Sequence, residues 1–157
     1  MKTQLLFLCF CVITLACGQS DTEVTPQSQS IVEARISSVT TSGIENAYTF
    51  SVGISSPDTG CEQYANWWEI VSLEGDLLYR RILGHSHVNE QPFIRSGGPV
   101  AISKTQEVII RMHMNTSGYS SLAIQGSVAN GFEAKTLANG FANDLETLAP
   151  LPNGCAF

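Results

Sequence analysis

From Tyr48 to Ile54 apolar side chains occupy every second residue, with Tyr48, Phe50, Val52 and Ile54 alternating with Thr49, Ser51 and Gly53. Successive side chains of a strand point to opposite faces, so this spacing makes one face apolar and the other small and polar. The same period returns at Val108, Ile110, Met112 and Met114, interleaved with Ile109, Arg111 and His113. A period of two does not suit a helix, and a one-sided strand needs a facing layer to cover its apolar side.

The remaining segments read the same way. Ile31–Ile36 is a weakly alternating first strand, and Pro57-Asp58-Thr59-Gly60 has the chemistry of a turn. Asn66–Leu73 and Leu77–Leu83 form a hairpin around Glu74-Gly75-Asp76, and a short strand spans Pro99–Ser103. Asn115-Thr116-Ser117-Gly118 turns the chain, which returns over Tyr119–Val128. About seven short strands with turn signals between them predict an all-β fold, an immunoglobulin-like β-sandwich. Small residues and helix formers mix over Glu133–Leu148, compatible with one short C-terminal helix. The His85–Pro99 stretch reads as a long polar loop.

At 157 residues, 43% of them hydrophobic and 14% charged, the chain suits one domain with a real core. Residues 1–16, with Lys2 followed by an apolar run from Leu5 to Ala16, are too short to span a bilayer and match a signal-peptide core. Leu15-Ala16-Cys17-Gly18 resembles the lipobox of bacterial lipoproteins, with Thr14 where that family usually has Leu. The resemblance implies acylation of Cys17, a membrane anchor and residence in the cell envelope, at the outer membrane. It covers only the first eighteen or so residues. Ordinary signal cleavage, releasing a secreted soluble chain from Gln19, is the alternative. Residues 17–30 would then be the lipid attachment site and a polar tether, with 31–157 the domain.

Export also sorts the cysteines. Cys9 and Cys11 leave with the signal, Cys17 takes the lipid, and Cys61 and Cys155 remain as a pair in an oxidising compartment. A disulfide between them closes a loop of about a hundred residues, contributing about 4 kcal/mol on the chain-entropy model.

The formal charge of −6 comes without any basic cluster beyond Arg80-Arg81, which excludes nucleic acid as a partner. His85 and His87 are two apart and share a face in extended backbone, an arrangement that suits a copper or zinc ion. His85, His87, Glu90 and His113 are the candidate ligands. His113 beside Met114 resembles the His-x-Met ending of periplasmic copper chaperones, but the two are adjacent here and so point to opposite faces. A core position for Met112 and Met114 is the favoured alternative. His85-Ser86-His87, Glu90 and Gly97 are similar to the first cupin motif with one residue missing before the glutamate. A one-residue slip on a strand reverses facing.

No Gly-x-Ser-x-Gly elbow is present, no cysteine is left as a nucleophile, and no carboxylate pair is marked by its spacing. The expected role is therefore a non-enzymatic binding or envelope-associated module, with copper or zinc binding as the alternative. Tyr64, Trp67 and Trp68 are the candidate binding surface for a glycan or protein. Consecutive tryptophans face opposite sides of a strand, so one can be exposed, and the favoured alternative has the second covered by the tail tied down through Cys155.

Overall fold

The computed structural model describes residues 33–156. In chain order the strands are β1 (Arg35–Ile44), β2 (Ala47–Ser55), β3 (Ala65–Val71), β4 (Leu77–Ile82), β5 (Phe93–Val100), β6 (Val108–Met114), β7 (Gly118–Tyr119), β8 (Leu122–Ser127) and β9 (Gly131–Thr136). They form two antiparallel sheets, β1-β2-β5 and β4-β3-β6-β8-β9, with the two-residue β7 beside β6. The chain crosses between sheets after β2, β4 and β5, which gives an immunoglobulin-like Greek-key order.

The two runs of strict alternation supply the facing layers. Phe50, Val52 and Ile54 from β2 meet Trp68 and Ile70 from β3 and Val108, Ile110 and Met112 from β6, all wholly buried in one core. Met114 joins them, so both methionines are core residues as favoured. The hairpin β3–β4 and the strands around Tyr48–Ile54 and Val108–Met114 lie where the pattern places them.

Several elements differ from the sequence reading. The first strand is Arg35–Ile44 rather than Ile31–Ile36, and it is read poorly because its exposed edge carries serine and threonine in place of alternating apolar residues. Ile31 and Val32 lie outside the described residues, as do residues 1–30 with the signal segment, Cys17 and the tether. The end of the expected polar loop is β5, with Gly97-Gly98-Pro99 inside it. Pro99 is tolerated because β5 is an edge strand. Gly97 has a packing reason, since a Cβ there would lie 2.6 Å from the Tyr79 hydroxyl and 3.0 Å from Trp68. The segment expected to be helical begins as β9 and ends in a single 3₁₀ turn, Asn143–Thr147, so the strands number nine among the described residues.

The second sheet is covered on both faces. On its outer side Val71, Ile109 and Ala123 pack with Leu145, and Leu137, Phe141 and Ala142 close around them. The segment after β9 thus lies as a strap across β3, β6 and β8. This third layer explains why every residue of β3 and of β6 is buried. A disulfide joins Cys61, ahead of β3, to Cys155 at the far end of the strap, with Cα atoms 5.6 Å apart.

Candidate functional site

Beneath the strap lies a polar centre built from alternate residues of adjacent strands. β3 directs Trp67 and Glu69 outward, β6 directs Arg111 and His113, and β4 contributes Arg80 in register with Glu69. Glu69 is fully buried and accepts from Arg80 Nε at 2.7 Å and from Arg111 Nε at 2.8 Å. The remaining guanidinium N–H groups donate to the strap, Arg111 to the carbonyls of Phe141 and Ala142, and Arg80 to those of Leu145, Leu148 and Pro150. Arg80 also donates to the Tyr119 hydroxyl at 3.2 Å. The Arg111 guanidinium lies over the Tyr119 ring and that of Arg80 over Trp67. Burial, with Glu69 nearby, pushes the Tyr119 phenol up to about 12.

Two guanidiniums around one carboxylate leave a buried excess of positive charge, which five carbonyl dipoles partly balance. The centre is therefore a clamp that holds the strap against the sheet. A buried pair of this kind differs from a surface pair of small worth, because its charges have no water to fall back on. His113 stacks on Trp67 with ring centroids 3.7 Å apart and is held at both nitrogens, Nδ1 2.7 Å from Asn66 and Nε2 3.1 Å from Glu146 of the strap. Burial lowers its pKa despite Glu146.

The aromatic surface read from the sequence is not on the surface. Tyr64, Trp67 and Trp68 are 4%, 3% and 0% exposed, so none offers a ring face to a ligand. Trp68 belongs to the core between the sheets, and Trp67 lies under the strap side of the second sheet against His113 and Arg80.

The four candidate metal ligands are not brought together. His113 belongs to the clamp, while Glu90 is drawn to Arg95 at 2.8 Å, a hydrogen bond that holds its carboxyl below the usual range. His85 and His87 do meet, with ring centroids 4.4 Å apart. Among the described residues no three histidine, cysteine or acidic side chains converge as a metal site.

His87 is the unusual member of that loop. Its ring is buried between His85 and Phe93, stacking on the latter at 3.8 Å. Its backbone N–H donates to Asp58 Oδ2, Asp58 Oδ1 accepts from Ala65 N–H, and Gln91 donates to the His87 carbonyl. Neither ring nitrogen has a hydrogen-bond partner among the described residues, although Nδ1 lies 3.9 Å from Asp58. Burial lowers its pKa, with smaller contributions from Arg95 and His85. Val88 in this loop and Ile94 on β5 are exposed.

The clamp residues Glu69, Arg80 and Arg111 were not singled out together from sequence. Their signal is present nonetheless, as lone opposite charges inside otherwise apolar strands, Glu69 within ANWWEIV and Arg111 within VIIRMHM.

Fold and site together define an immunoglobulin-like sandwich whose outer sheet is sealed by its own C-terminal strap, the end of which bonds to the β4–β5 loop through Ala156 N–H and the Gly84 carbonyl. The chain is similar to a protein of Halomicrobium mukohataei named "Putative lipoprotein", 32% identical over 118 residues. The match covers 73% of this chain and 58% of that protein, so the chain spans less than two thirds of its relative's length. No protein-family model matches the chain, and no solved structure gives a significant match.

Proposed function

We propose that the protein is an exported, lipid-anchored β-sandwich of the cell envelope that acts as a non-enzymatic binding or envelope-associated module. The observation that carries this reading is the similarity to a protein named as a lipoprotein, in a chain whose own Leu15-Ala16-Cys17-Gly18 fits lipid attachment. Cys17 holds the lipid, residues 18–30 act as the tether, and the outer membrane is the expected site in a cell that has one. With the tryptophans buried, the working surface is the β4–β5 loop from Leu83 to Pro92 with Ile94, where His85, Val88 and Ile94 face solvent. A glycan or protein is the partner. The test is metabolic labelling of the full chain with an alkyne fatty acid, followed by detergent phase partition. Label and detergent-phase recovery, both lost in Cys17→Ser, support the reading. An unlabelled aqueous protein would make it a secreted soluble domain instead.

A second reading is favoured by the contact between His85 and His87 and by the unpartnered nitrogens of His87. Here the loop takes copper or zinc through the two imidazoles, the donor type those ions accept. Elemental analysis of chelator-free protein, repeated on His85→Ala with His87→Ala, decides it. Metal near one per chain that vanishes in the double variant supports the site, and metal-free folded protein ends it.

A further inference from the structure

A guanidinium has five N–H groups, and the two in the clamp are not equally satisfied. Arg80 uses all of its own, Nε on Glu69, Nη1 on the Leu148 and Pro150 carbonyls, and Nη2 on the Leu145 carbonyl and the Tyr119 hydroxyl. Arg111 places Nε and one Nη2 N–H on Glu69, the other Nη2 N–H on the Ala142 carbonyl, and one Nη1 N–H on that of Phe141. The second Nη1 N–H is left without an acceptor among the described residues, on a side chain that is 1% exposed. Charge is left over in the same place, because two guanidiniums face the single carboxylate of Glu69. Buried charge is costly unless a counter-charge and acceptors meet it.

Arg111 also lines a cavity of about 70 Å³ between the β7–β8 junction and the strap. Phe141, whose carbonyl takes the first Nη1 N–H, is part of the same wall. Ser120 and Ser121 line it from the sheet and Asn139 and Asn143 from the strap, with no acidic residue among the lining side chains. The Ser120 oxygen accepts from the Leu122 N–H, which leaves the hydroxyl proton free to donate, and each asparagine brings an NH₂. Glu33 approaches the Ser121 hydroxyl at 3.5 Å, which takes Ser121 out of the donor set, and Glu146 is engaged with His113. At ~30 Å³ for a water in the liquid, the space holds about two bodies of that size.

We propose that this cavity is a binding site for one small monovalent anion of the chloride class, held by Arg111 Nη1, the Ser120 hydroxyl and the side-chain amides of Asn139 and Asn143. One negative charge matches the excess that the clamp leaves, and hydrogen bonds between ionised and polar partners are the strong ones. The volume suits a monatomic ion with one water better than an organic acid. Arg111 and Ser120 belong to the sheet and the two asparagines to the strap, so the anion joins the layers. Its occupancy tightens the strap by mass action.

The test uses the full exported chain, with gluconate, too large for the cavity, replaced stepwise by chloride at constant ionic strength. The melting temperature should rise along a saturation curve, by about 5 °C when chloride is at about ten times its dissociation constant. Hydrogen exchange should slow over residues 137–143 and stay unchanged in β2. Asn139→Asp and Asn143→Asp each bring a fixed carboxylate to the cavity, and at least one should lose the chloride response because its own charge takes the anion's place. Asn130→Asp, in the β8–β9 turn, is the control and should keep the response. An absent response, the result for a cavity that holds only water, would overturn the proposal. So would a response that is linear in chloride, equal in wild type and both cavity variants, or spread evenly over the sandwich in hydrogen exchange, since each marks a general salt effect.

Discussion

Glu69→Gln removes the carboxylate that holds Arg80 and Arg111 together while keeping its shape. The two oxygens accept at 2.7 and 2.8 Å, and the side chain has no exposed surface. Glutamine keeps one acceptor and turns an NH₂ toward the other guanidinium, setting donor against donor. Removing one member of a buried ion pair costs about 3–5 kcal/mol, because the partners stay buried and uncompensated. Here the carbonyls of Phe141, Ala142, Leu145, Leu148 and Pro150 still accept from the guanidiniums, which favours the lower half of that range. At about 3–5 °C per kcal/mol for a domain of this size, the melting temperature should fall by about 10–15 °C. Trp67 and Trp68 are buried, so their emission follows thermal and urea unfolding directly. Hydrogen exchange should locate the damage, with amides of residues 137–150 losing protection before those of β2 and β3. A loss below about 1 kcal/mol, the worth of a surface pair, would refute the clamp. So would loss of protection spread evenly over the sandwich. Replacing Glu69, Arg80 and Arg111 together with methionine separates charge from donor count, since apolar triads are often as stable as ionic ones. Here the triple variant should still release the strap, because its carbonyls lose their donors.

Cys61→Ala with Cys155→Ala opens a closure 94 residues long and should cost about 4–5 kcal/mol on the chain-entropy model, read by urea unfolding. Gly97→Ala should cost about 1–3 kcal/mol by overpacking, since its Cβ meets Tyr79 and Trp68, and chemical denaturation again measures it. Acid should weaken the fold through His87 and His113, whose pKa values burial lowers. The unfolded chain then takes up protons first, so stability falls as pH drops through the unfolded histidine value of about 6.5 and levels off below the folded values. His113→Gln should flatten that slope between pH 7 and 5, and an unchanged slope would show that folding does not lower the pKa of this ring.

The sandwich was legible because two strands obey strict alternation, and the structure uses Tyr48–Ile54 and Val108–Met114 as the facing walls of its core. The alternation could not show that the other face of β6 is also buried. Ile109, Arg111 and His113 read as a solvated face because two of the three are polar, and nothing local marks a strap that arrives some thirty residues later. β1 and β5 were misplaced for a related reason. An edge strand needs only one apolar face and few ladder bonds, so serine, threonine, glycine and proline are all admissible there.

The cysteine pair was legible by elimination, yet its consequence lies in packing. The disulfide fixes the end of a strap that Arg80 and Arg111 grip in the middle. The tryptophans therefore form no binding surface, and the favoured alternative, a tail tied down through Cys155 that covers the second of them, is the one the structure has. The strap ends against the loop bearing His85, where the Ala156 N–H donates to the Gly84 carbonyl, so the segment that seals the outer sheet also braces the loop proposed as the working surface.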